Sequence, residues 1–134
     1  MTQEEKVKYW ADLSDENLCV AEDLLKIGHL LQMGFFCHLT VETIFKACFT
    51  KYKNEIPPYI HKLARLAQLS GFYEDMNNEQ KDFIYELDPF NIEARYPEYK
   101  QMIAKSLNTY TCENLLRRTQ ELQQWIKEKV LYIK

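Results

Sequence analysis

His38, Glu42 and Lys46 stand four residues apart in the stretch Phe35-Phe36-Cys37-His38-Leu39-Thr40-Val41-Glu42-Thr43-Ile44-Phe45-Lys46-Ala47, so on a helix they fall along one line. An imidazole, a carboxylate and an ammonium in a row can hold a ligand phosphate through Lys46 and orient it through His38 and Glu42, or can read a partner's surface. The plainer alternative is an intrahelical pair from Glu42 to Lys46, worth about 0.2–0.5 kcal/mol, with His38 packed at the helix edge. Drawn at about 100° per residue, Cys37, Val41, Ile44, Phe45, Cys48 and Tyr52 form an apolar arc beside this line. The polar stripe is therefore expected along the edge of a buried helix.

Two further places carry chemistry. His61 follows Pro57-Pro58-Tyr59-Ile60 near a helix start, where its ring is expected to hydrogen-bond a backbone group and fix the turn, with ligand contact as the other role. Arg95, Tyr96 and Tyr99 share a second segment, and an arginine beside aromatic rings suits stacking on a base or on a partner. The alternative there is that the rings fasten the segment to the fold. No glycine-rich phosphate loop accompanies these residues. A metal site built on His38, Glu42 and His61 lacks a further ligand with sequence support, so no metal and no cofactor is expected.

The elements that must position these groups are helices. Thr2-Gln3-Glu4-Glu5 has the form of a capping box, and Val7, Trp10, Ala11, Leu18, Ala21, Leu24 and Leu25 recur at helical spacing up to Gly28, predicting a helix over about residues 3–27. A second helix, beginning after a short link through Gly34 or with Gly34 tolerated near its start, runs to about Lys53 ahead of Pro57-Pro58. A third is expected between Tyr59 and Ser70, a fourth over about Asn78–Leu87, and a last of about twenty residues from Thr111 as its cap. Residues 92–99 show no period and read as an ordered, irregular connection. No strand-like alternation occurs. The expectation is an all-α fold, an antiparallel up-down bundle of four to five helices with the first, second and last carrying most of the core.

Length and composition agree with this. The chain has 134 residues and is 46% hydrophobic, which suits a single domain over residues 1–134. No apolar run of about 18 residues occurs, and Met1 is followed by Thr2-Gln3-Glu4-Glu5-Lys6 rather than by a basic head and an apolar block. Neither a membrane span nor a signal peptide is expected, which points to the cytoplasm. Cys19, Cys37, Cys48 and Cys112 have no C-x-x-C spacing and read as free, mostly buried thiols. Acidic segments (residues 2–28 and 72–102) alternate with basic ones (46–65 and 103–134). Facing helical rims explain that pattern, and a basic groove for RNA or a nucleotide phosphate is the alternative.

Three pieces in order resemble the HEPN domain family of small helical domains, whose name refers to nucleotide binding. They are Phe36-Cys37-His38-Leu39-Thr40-Val41-Glu42 with Lys46-Ala47; Pro57-Pro58-Tyr59-Ile60-His61-Lys62-Leu63 with Leu66-Ala67; and Ile92-Glu93-Ala94-Arg95-Tyr96-Pro97-Glu98-Tyr99. With Trp10 in the leading helix and Trp125 in the trailing one, the resemblance spans nearly the whole chain. It implies a helical bundle that forms homodimers and pairs with a nucleotidyltransferase of the minimal type. Many members of the family are ribonuclease toxins that carry an Arg followed four to six residues later by a His. Here the arginines are Arg65, Arg95, Arg117 and Arg118 and the histidines His29, His38 and His61, and none has that spacing. Metal-independent RNA cleavage needs a positioned acid or base and a cation on the phosphate, so no catalytic residue is assigned. The expected function is a non-catalytic, homodimeric binding module that pairs with a nucleotidyltransferase and/or holds a nucleotide or RNA near Lys46 and Arg95. The alternatives are a ribonuclease toxin of a toxin–antitoxin pair with a divergent site using His38 or His61 with Arg95, and a purely self-associating structural protein.

Overall fold

A computed structural model describes residues 1–91 and 97–132. It is all-helical over those residues: α1 (Gln3–Lys26), α2 (Leu30–Lys53), α3 (Leu63–Leu69), α4 (Asn78–Leu87), α5 (Pro97–Lys105) and α6 (Thr109–Ile126). Single 3₁₀ turns occupy Tyr73–Asp75 and Asp88–Phe90, and α6 runs on into a π-helical turn at Lys127–Leu131. Among the described residues, no helix is long and apolar enough to cross a membrane.

The boundaries follow local chemistry. Thr2 and Glu5 form the expected capping box at α1, Asn77 and Gln80 form one at α4, and Asn108 and Thr111 form one at α6. Thr111 thus serves as the third residue of the box, with Asn108 as the cap. Gly28, at φ +83°, ends the first helix in a conformation that only glycine adopts freely. The third helix starts at Leu63, four residues later than Tyr59, because the backbone leading into it is held extended by the second helix, as described below. Pro97, Glu98 and Tyr99, expected in an irregular connection, instead open α5. Proline suits the first turn of a helix, where its missing N–H has no partner to lose.

α2 is the axis of the bundle, buried on all sides from Met33 to Thr50 apart from Phe35, Phe36 and Leu39, which are half-buried. α1 lies antiparallel along it: the Gln3 amide donates to the carbonyls of Thr50 and Lys51, and Ser14 Oγ donates to the Thr40 carbonyl at 2.6 Å. α6 closes over both helices, its Gln123 amide donating to Ser14 Oγ and to Asp15, each at 3.0 Å. α3 and α4 pack on α2 and on each other. The core holds Met33, Val41, Ile44, Phe45, Leu63, Leu66, Ile84, Leu87 and Ile126. Tyr52, assigned above to the apolar arc, is 63% exposed, its ring lying against the backbone at Gly71. Gly34 admits the ring of Phe90, which any side chain at that position would strike.

A helix this deeply buried must satisfy its own polar side chains. Thr40, Thr43 and Thr50 do so by donating to the carbonyls of Phe36, Leu39 and Lys46, one turn back, at 2.7, 2.6 and 2.9 Å.

Candidate functional site

The polar line on α2 lies inside the molecule. His38, Glu42 and Lys46 are all buried, so it is not the accessible edge that the helical drawing suggested. What covers it is the chain after Pro57-Pro58, which turns back along α2 and brings His61 against Glu42. His61 Nδ1 lies 2.9 Å from Glu42 Oε1, and Lys46 Nζ donates to Glu42 Oε2 at 3.0 Å. Both carboxylate oxygens are therefore engaged.

Donor logic fixes both rings. His38 Nε2 lies 3.1 Å from the His61 carbonyl, which can only accept, so the Nε2 of His38 carries the proton. Its Nδ1 is then a bare lone pair, buried with no hydrogen-bond partner and 3.7 Å from Glu42 Oε1. Burial pushes the His38 pKa down to about 4, against the opposing pull of Glu42 and of the His61 carbonyl. The His61 ring donates through Nδ1 to the carboxylate. Its Nε2 is left as an acceptor on the opposite edge of a side chain that is 34% exposed. The backbone contact expected of the His61 ring is thus made by its carbonyl, and the ring is tied to a buried charge instead.

Two aromatic rings that sequence reasoning had not assigned to the site complete it. Lys46 Nζ lies 5.5 Å from the centre of the Trp10 ring, a cation–π contact that helps seat the buried ammonium. Tyr59 meets the His61 ring edge to face at 4.9 Å and is 89% exposed. Trp10 also lines a shallow cavity of 180 Å³ with Tyr9, Ile56 and Pro57. In the sequence, Trp10 is one more apolar position of α1 and Tyr59 one more residue of the run ahead of His61. No spacing rule connects either of them with position 42.

The structure thus gathers His38, Glu42, Lys46 and His61 into one cluster. Tyr99 sits on α5, half-buried against the core, and Arg95 and Tyr96 lie outside the described residues. Among the described residues, no group of three or more His, Cys, Asp and Glu side chains is arranged to hold a metal ion. Within the cluster, the Glu42 oxygens are already occupied by Lys46 and His61. Chemically, the arrangement is a buried ion pair backing a half-exposed imidazole of fixed tautomer, with an exposed aromatic ring beside it.

A family model described as HEPN domain matches residues 7–130. No curated protein and no solved structure matches the chain.

Proposed function

Because the chain belongs to the HEPN domain family, we propose that it is a non-catalytic binding module that holds a nucleotide against His61 and Tyr59. The module works as a homodimer beside a nucleotidyltransferase of the minimal type. The observation that carries this reading is the pairing of an exposed ring, Tyr59, with an imidazole whose acceptor nitrogen is fixed by the Glu42 carboxylate. An aromatic face stacks on any base, and a fixed acceptor selects a ligand N–H or O–H. The burial of Lys46 and Glu42 makes them supports of His61 rather than ligand contacts. Arg95, with Tyr96 and Tyr99, is assigned to the same ligand or to the protein partner.

Titration of the folded protein with adenine and guanine nucleotides, followed by the His61 and Tyr59 ring resonances, tests the site. His61→Ala or Tyr59→Ala should each weaken binding about tenfold, since stacking on an aromatic ring is worth about 1–3 kcal/mol per base. Unchanged binding in both would remove the site from consideration, and Arg95→Ala tests the third contact in the same way. Affinity purification of the tagged chain from its native host tests the pairing: a nucleotidyltransferase in stoichiometric amount supports it, and recovery of this chain alone counts against it.

One observation favours a ribonuclease as the second reading. His61 is a half-exposed histidine whose free nitrogen could serve as a base, whereas His38 is sealed. RNA cleavage abolished by His61→Ala supports that reading, and uncut RNA with the wild-type chain retires it.

A further inference from the structure

We propose that His61 Nε2 is a phosphoryl-accepting nitrogen, so that this site can be covalently modified as well as occupied. The inference rests on the reading that His61 faces an anionic, nucleotide-class ligand. It goes further by assigning the ring a nucleophilic role.

The three histidines differ in what a nucleophile requires of its surroundings: a reachable ring nitrogen and a fixed orientation. His38 is neutral but buried, and its bare nitrogen faces Glu42 rather than solvent. His29 is exposed at the start of α2, where its side chain makes no capping hydrogen bond, so nothing there selects its tautomer. His61 meets all the requirements. Its Nδ1 proton is committed to Glu42 at 2.9 Å, which places the lone pair on Nε2 at the opposite edge of a part-exposed ring. A carboxylate on one imidazole nitrogen fixes the ring's orientation and leaves the other nitrogen facing outward. Lys46, at 3.0 Å from the second carboxylate oxygen, pairs with Glu42 in a place where a lone buried charge would be costly.

The surroundings select the electrophile. From Lys51 to Arg65 the sole acid is Glu55, while Lys53, Lys62 and Arg65 are exposed. An anionic phosphoryl donor is attracted to such a stretch, and Tyr59 offers a base its ring face. In the step, the Nε2 lone pair forms a bond to phosphorus while the bond from phosphorus to the leaving group breaks, its electron pair departing with that group. The positive charge that develops on the ring lies against Glu42, which stabilises it through Nδ1–H. The native donor is a phosphoanhydride such as a nucleoside triphosphate, whose leaving group is the nucleoside diphosphate.

The test uses phosphoramidate, which transfers its phosphoryl group to imidazole with loss of ammonia and needs no nucleotide-binding step. The native protein is incubated with it near neutral pH, and the sites are read by phosphorus NMR and mass spectrometry. His61 should be modified about tenfold faster than His29 despite its lower exposure, and the His61→Ala protein should lose that fast site. Glu42→Gln combined with Lys46→Met removes both buried charges while leaving an acceptor for Nδ1, and should bring His61 down to the rate of His29. Should that variant fail to fold, the comparison of His61 with His29 in the native protein still decides. A His61 rate no greater than that of His29, or one unaffected in a folded double variant, overturns the proposal. Because nucleotide titration is read separately, failure of phosphorylation with intact binding rejects this step alone. Failure of binding with fast phosphorylation rejects the nucleotide site alone.

Discussion

At the scale of single residues, the decisive group is Glu42, a buried carboxylate that serves a lysine, a half-exposed histidine and the approach of a second imidazole, that of His38. On an exposed helix a Glu–Lys pair contributes only tenths of a kcal/mol. Buried, the same pair is costly to break, because removing one partner strands the other. Lys46→Met should therefore destabilise the fold by about 3 kcal/mol, and adding Glu42→Gln should restore most of that loss. Urea unfolding of the single and double variants checks it. The spacing of His38, Glu42 and Lys46 was legible in the sequence. Their burial was not, since the covering chain reaches them from nearly twenty residues further on. His38 yields a pH prediction. Its ordinary pKa of 6.5 falls to about 4 on folding, so as pH drops through that interval the unfolded chain binds a proton that the folded chain refuses. Stability supplied by the neutral ring is present above about pH 6.5 and is lost progressively toward pH 4, by about 3 kcal/mol in all. Urea midpoints measured from pH 7 to pH 4 should decline more steeply for the wild type than for His38→Gln, which keeps a donor for the His61 carbonyl. Parallel declines would show that the ring titrates normally.

At the scale of elements, the α1 span and the α2 C-terminus could be read from a capping box, glycine and proline, because those signals act locally, and the α4 span from the spacing of Phe83, Ile84 and Leu87. α5 was missed for the converse reason. Only Ile103 of that helix is buried, so it carries almost no apolar period, and its initiating Pro97 resembles a breaker. Contacts between elements leave still less trace in the sequence. Gly34 in α2 looks like a tolerated weakness, yet it is where the 3₁₀ turn at Asp88–Phe90 seats its ring. Gly34→Ala would raise intrinsic helix propensity by about 1 kcal/mol, but overpacking against a buried phenyl should outweigh it and leave a net loss of about 1–3 kcal/mol. In a Phe90→Ala background the same change should become neutral or stabilising. A double-mutant cycle measured by chemical denaturation reads that coupling directly, and additive losses would place the strain elsewhere.

At the scale of the whole molecule, the all-helical bundle was legible because helical period is repeated over most of the chain. The polar seam between α1, α2 and α6 was not, since nothing local marks Ser14, Asn17 and Gln123 for burial before three helices meet on them. The thiols report on the integrity of this bundle. Cys37 and Cys48 are buried with pKa pushed up to about 12 by desolvation, Cys112 is buried as well, and Cys19 is exposed. Native protein should therefore react with a thiol reagent at Cys19 alone within minutes, the other three waiting for global opening. Labelling of Cys37 at the Cys19 rate would mean that the core opens locally.

The order of synthesis gives the long α1–α2 hairpin a consequence of its own. Both helices of the hairpin, 24 residues each, are complete once Lys53 has been made, so they pair through contacts that close quickly. The inner surface of α2 must then wait for Leu63, Ile84 and finally Ile126 to arrive. On the ribosome the nascent chain is thus a greasy half-built object for most of its elongation. Closure of α6 across more than a hundred residues, from Gln123 to Ser14, is the step that makes it safe. Substitutions across the α1–α2 contact should slow refolding in proportion to their cost, whereas those in α6 should mainly hasten unfolding.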